Sequence, residues 1–193
     1  TTSCNNGEIY NGVLFSSYVE QQGELARMCY SLTNTNSVDV TISLGAYADV
    51  MIGSNDRAPI SRRKDQLENT YGLTMKDGYG AQLCVLFGAG LAGVSKVDDF
   101  WFGNYGYNNN AYNIVGNYER SDNFMIENGS YDSAMGWCWK NRTIPAGATV
   151  VFSYLIGVGD VRLEPNSSFE VTPDDPDGWN DLSRPHKLTL NGE

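Results

Sequence analysis

A chain of 193 residues, 41% of them hydrophobic, can bury one well-formed core, whereas a charged share of 19% is low for a globular protein. The formal net charge of −10 repels phosphate backbones and anionic lipid, so neither nucleic acid nor a membrane surface is an expected partner. No apolar run reaches the roughly 18 residues that a membrane-spanning helix needs, so no membrane insertion is expected.

The chain opens with TTSCNNGEIY, which has no initiator Met, no basic region and no apolar region. It is expected to be a mature end left by a removed signal peptide, which places the protein outside the cell. Strands are predicted at 8–15, 26–33, 38–44, 46–52, 71–76, 81–87, 96–103, 112–116, 133–140 and 148–159. In 38–44 the residues Val38, Val40, Ile42 and Leu44 share a face, and 148–159 is rich in β-branched and aromatic residues, as a central strand is. Turn sequences such as NTNS, GSND, KDGYG, ENGS and IPAG separate these runs. Only SRRKDQLEN, residues 61–69, offers a short helix. Many short strands at this spacing predict an all-β fold, an antiparallel β-sandwich over residues 1–159. Residues 160–193 are polar and proline-punctuated, with strand-like pieces at 169–171 and 187–190, and form a mostly irregular C-terminal extension.

Alternation also assigns phases to the cysteines. Met28, Tyr30 and Leu32 share a face, which turns Cys29 the other way. Leu83, Val85 and Phe87 do the same to Cys84, and Met135, Trp137 and Trp139 to Cys138. Four cysteines with no CxxC pair and a single histidine suit two disulfides better than zinc. Of the three connectivities, Cys4–Cys29 with Cys84–Cys138 fits the phases best. Sequons at Asn128, Asn141 and Asn166 fall at predicted turns or strand edges, where a glycan stays in solvent.

Chemistry is harder to find. The only histidine, His186, has no nucleophile near it in sequence, and no GxSxG, HExxH, P-loop or dinucleotide fingerprint occurs, so the chain is not expected to be an enzyme. A glycosidase-type carboxylate pair would have to draw on Asp98 or Asp99 with Asp132. Asp175, Asp177 and Asp181 in DDPDGWND offer hard oxygen ligands around a glycine turn and suit Ca²⁺, although the bidentate Glu of an EF-hand is missing. No other cofactor is expected. Asp49, Asn55 and Asp56 read as a turn with side chain–backbone bonds.

DDFWFGNYGYNNNAYN, residues 98–113, stands apart. Phe100 and Phe102 belong to one face, and Trp101 to the other, where it should be half exposed. Trp101, Asn104, Tyr105, Tyr107 and Asn108 could hold a sugar through ring faces and amide hydrogen bonds, and a protein contact would use the same residues. The C-terminal HKLTLNGE alternates Leu188 and Leu190 against polar residues. It forms a candidate assembly strand, either paired on the chain's own edge or added to a neighbour's sheet.

Three stretches together, ISLGAYADVMIGSNDRAPI, VSKVDDFWFGNY and YDSAMGWCWKNRTIPAGATVVFSYLIGVG, resemble a β-sandwich module of large extracellular and surface proteins in anaerobic protists and some bacteria. That resemblance covers residues 38–159 in patches and implies an adhesive or structural role without catalysis. The chain departs from the module at Cys84 and Cys138. The expectation is a secreted, glycosylated structural or adhesive building block, a homo-oligomer or polymer joined by strand addition. The alternative is a lectin-like protein that binds glycans.

Overall fold

The computed structural model of the chain describes residues 5–105, 132–163, 165, 171–173 and 188–190. Strand β1, Ile9–Tyr10, turns through Asn11 and Gly12, at φ 48° and 76°, into β2, Val13–Gln22. Positive φ at both turn residues matches the twist of a tight hairpin, and Asn-Gly supplies it cheaply. From Gln22 the chain reverses at Gly23 into β3, Leu25–Asn34, in unbroken register from Val13↔Asn34 to Gln22↔Leu25. Sequence alternation had ended the first of these strands at residue 15. Beyond it, SSYVEQQ carries a single large apolar residue on each face, Tyr18 and Val19, so its pairing leaves no apolar alternation.

The later strands are β4, Val40–Asp49; β5, Ile60–Lys64; β6, Thr70–Lys76; β7, Gln82–Leu86; β8, Asp99–Asn104; β9, Ser133–Ile144; and β10, Thr149–Val158. The predicted strands 38–44 and 46–52 are one strand, β4, with a register shift between Ile42 and Leu44. The helix offered for 61–69 is not there. Ile60 is buried and starts β5, and Asp65 then closes a turn by accepting from the N–H groups of Leu67 and Asn69. Leu67, the one apolar residue in 61–69, stays exposed, so a helix would have had no stripe to bury.

All pairings are antiparallel. The order β1-β2-β3-β10-β7-β6-β5 makes a seven-stranded sheet, and β4-β9-β8 a three-stranded one. Their inner faces form the main core, in which Met28, Tyr30, Leu32, Phe152 and Tyr154 meet Ile42, Leu44, Trp137 and Trp139. The antiparallel β-sandwich is therefore established. Buried Asn34 fastens its end: its side-chain amide donates to the carbonyls of Val38, Ile144 and Pro145, from β3 across to the end of β9. Tyr30 and Tyr154 satisfy each other with hydroxyls 3.0 Å apart, and burial raises the pKa of both.

The seven-stranded sheet also has an apolar patch on its outer face. Leu25, Tyr71, Cys84, Leu86 and Leu155 are covered there by Leu91 and Val94, and by Val161 just after β10. In the C-terminal extension, β11, Val171–Pro173, and β12, Leu188–Leu190, pair antiparallel as a separate two-stranded ladder.

Candidate functional site

The outer face of the three-stranded sheet brings together Trp101 and Tyr105, two of the aromatic residues singled out in the sequence, with Tyr47, which was not. Register sets Tyr47 on β4 and Trp101 on β8 to either side of Gly136 on β9. Flanking side chains close over a glycine in this way because it has none of its own to cover the strand. The Tyr47 and Trp101 rings lie 6.4 Å apart, 26° from parallel, and Tyr105 packs 6.1 Å from Tyr47. A Cβ built on Gly103 would sit 2.7 Å from the Trp101 indole, so the ring lies down along its own strand. Trp101 is only 9% exposed, not half exposed as alternation implied. Its outward phase was right, but neighbouring rings cover it. A sugar platform needs an open ring face, and Trp101 does not present one. Asn104 ends β8, opposite Ser133. Tyr107 and Asn108 lie outside the described residues.

Asp98 and Asp99 sit at the other end of β8 and are engaged by cations. Asp98 accepts from the Lys140 backbone N–H at 2.6 Å and pairs with Arg142 at 2.9 Å, while Asp99 pairs with Lys140 at 3.3 Å. Register places Asp99 opposite Cys138, six residues along β9 from Asp132. At about 3.3 Å per residue this is roughly 20 Å, beyond either glycosidase spacing of about 5 to 10 Å. Asp132 instead joins Asp49 and Asp56. Partial burial, then the charges of Asp132 and Asp56, raise the Asp49 pKa. Asn55 behaves as the expected turn residue, since its side chain accepts from the Arg57 N–H. Among the described residues no three Asp, Glu, His or Cys side chains are grouped to hold a metal ion. Asp175, Asp177 and Asp181 lie outside those residues.

The cysteine phases hold, but one pairing drawn from them does not. Cys84 lies in the outer patch of the seven-stranded sheet, with Leu86 and Leu155. Cys138 lies on the outer face of the three-stranded sheet, with Trp101 and Ala134. Both are buried, and the whole sandwich stands between them, so they do not bond to each other. Burial pushes both pKa values up, that of Cys138 to about 11. Cys29 is likewise buried, beside Glu20, and its intended partner Cys4 lies outside the described residues. Of the three sequons, Asn128 and Asn166 also lie outside them. Asn141 is exposed, at φ 51°, where β9 sets Lys140 and Asn141 against the single residue Ser43 of β4.

What remains is the sheet edges, and they are unequal. The β5 edge carries Arg62, Arg63 and Lys64 and a register shift. The β4 edge is broken at Ser43, and β8 is short, with six residues. Strand β2 is ten residues long and regular, and has no Lys, Arg or Pro. Only its first two residues, Val13 and Leu14, pair with β1. Ile9, Tyr10, Tyr18 and Val19, all on β1 or β2, make up four of the eleven exposed large hydrophobic residues among the described residues. Charges, bulges and brevity guard the other edges against pairing, and β2 lacks these guards. Among the described residues, the pattern is an antiparallel sandwich whose β2 edge beyond Phe15 has no strand paired to it. No protein family matches this chain, and no curated protein matches it either.

Proposed function

We propose that this chain is an extracellular structural or adhesive building block that associates with copies of itself by pairing sheet edges. One observation carries the reading: β2 is long, regular and unguarded, while the other edges of the sandwich are short, charged or interrupted. Exposure of Asn141 within NRT is consistent with a glycan at that site and so with secretion. Cys84 and Cys138, on opposite outer faces, do not form the expected bridge, which removes one argument for an oxidising compartment, so the extracellular assignment leans on the sequon. The sugar-binding alternative is weaker, because Trp101 has lost its open ring face to Tyr47 and Tyr105.

Sedimentation velocity over a wide concentration range tests the proposal. Mass should rise above the 21.2 kDa chain as concentration increases, and Val19→Lys should shift the distribution back toward monomer. A single monomer boundary at every concentration would sink it.

A further inference from the structure

We infer that the occupant of the β2 edge is β2 of a second copy, paired antiparallel about a two-fold axis through Val19. The inference rests on the self-associating reading above and specifies its contact.

Hydrogen bonding shows which residues face outward. The Phe15 N–H donates to Glu8 O and the Phe15 carbonyl accepts from Gly7 N–H, both on the side away from β3. With a strand period of two, Ser17, Val19 and Gln21 present their main-chain groups on that same side, while Tyr18 and Glu20 turn theirs toward β3. The Ser17 N–H donates to Asn6 Oδ1. No strand among the described residues pairs with the other outward groups of Ser17, Val19 and Gln21. At the start of the described residues, Glu8 N–H donates to Asn5 O, closing a turn with Gly7 at φ 82°.

Outward residues must face outward residues, and three such symmetric registers centre on the middle of the open stretch, at Tyr18, Val19 or Glu20. An axis through Tyr18 sets Ser17 against Val19, but the Ser17 N–H is already used, so half of those bonds are lost. An axis through Glu20 sets two carboxylates face to face in a chain of net charge −10. With the axis through Val19, the two valines exchange both main-chain bonds, and each Ser17 carbonyl accepts from a Gln21 N–H. Tyr18 then lies beside Glu20 of the second copy, twice. This register covers Val19, 59% exposed, and Tyr18, 42% exposed, and keeps the Glu20 charges apart. The contact is smaller than a standard interface of about 1,200 to 2,000 Å², so a weak, concentration-dependent dimer follows.

Val19→Cys in the full chain, treated with a copper–phenanthroline oxidant, reads the register directly. Hydrogen-bonded antiparallel residues sit about 5.5 Å apart at Cα, within disulfide range. A covalent dimer should form well above the wild-type background, with a 19–19 linkage by peptide mapping. Glu24→Cys, in the hairpin turn, should give none above background. A Val19→Lys chain of unchanged far-UV circular dichroism should associate about tenfold more weakly or worse. A 19–4 linkage within one chain would show the edge held by the chain's own first residues and would overturn the inference. Equal crosslinking at positions 19 and 24 would overturn it too. If wild-type protein associates but Val19→Cys does not link, this contact is wrong and the building-block reading survives. If wild type stays monomeric, both fall.

Discussion

Cys138 shows how a residue's phase can be read from sequence while its partner cannot. Both Cys84 and Cys138 oppose the core residues of their own strands, as alternation said, but a sandwich has two outer faces. Opposing the core in one sheet points a side chain away from the same choice in the other, and nothing in the alternation of a strand says which sheet it joins. The consequence is chemical. Burial raises the Cys138 thiol from its ordinary 9.0 to about 11, so at neutral pH it carries little thiolate and should resist alkylation in the native state. The same shift ties stability to pH. Below about 9 the thiol is neutral in both states and its contribution is intact. Between 9 and 11 the unfolded chain ionises first, and stability falls by an amount on the order of 2 kcal/mol. Alkylation followed by intact mass, with and without denaturant, should modify Cys84 and Cys138 only after unfolding. Modification of native protein at pH 7 would contradict the assignment. Cys138→Ala should flatten the urea midpoint's decline above pH 9, where buried Tyr30 and Tyr154, also raised, keep part of the slope.

At the scale of the element, strands were legible where one face carries the large apolar side chains of the main core, whether or not the other face is covered too. β3, β7 and β9 alternate cleanly because one side of each meets the main core. The signal failed for the second half of β2, where neither face is well covered, and for β5, whose charges hid a strand inside a helix-like composition. It also split β4, because the offset at Ser43 breaks the phase between Ile42 and Leu44. The partner strand pays for that offset at Asn141, which sits at φ 51° so that two residues of β9 can span one of β4. Asn tolerates this left-handed conformation better than residues with bulkier or apolar side chains. Asn141→Ala should therefore cost about 1 kcal/mol by urea denaturation, and Asn141→Gly should fall within about 0.5 kcal/mol of wild type. Similar losses for both variants would mean that the amide's own contacts matter, not the backbone it permits.

For the whole molecule, the sandwich was legible from its many turn-separated strands, and the residues just past its expected C-terminal boundary still pack on it. Composition changes at Gly159, and a boundary there follows from the sequence alone. The chain, however, stays on the sheet for a few residues more. Gly159 N–H donates to Gln82 O, and Val161 packs into the outer patch with Leu25, Tyr71 and Cys84. The Val161 carbonyl accepts from Arg63 at 2.7 Å, while that guanidinium also lies 5.7 Å from the centre of the Tyr71 ring. Gly157 makes the approach possible, since a Cβ there would come within 2.5 Å of both Leu25 and Val161. Residues 160–163 thus act as a strap, and a chain ending after Gly159 leaves Arg63 without this carbonyl and the patch partly open. Such a chain should be less stable than one ending after Leu163 by on the order of 1–3 kcal/mol, the worth of one partly buried valine and one charged hydrogen bond. The longer truncation should match the full chain in urea midpoint. Val161→Ala in the full chain should recover only the packing part of the loss, because the carbonyl stays in place. If chains ending at 159 and 163 unfold at the same midpoint, the strap adds nothing and the boundary belongs where composition put it.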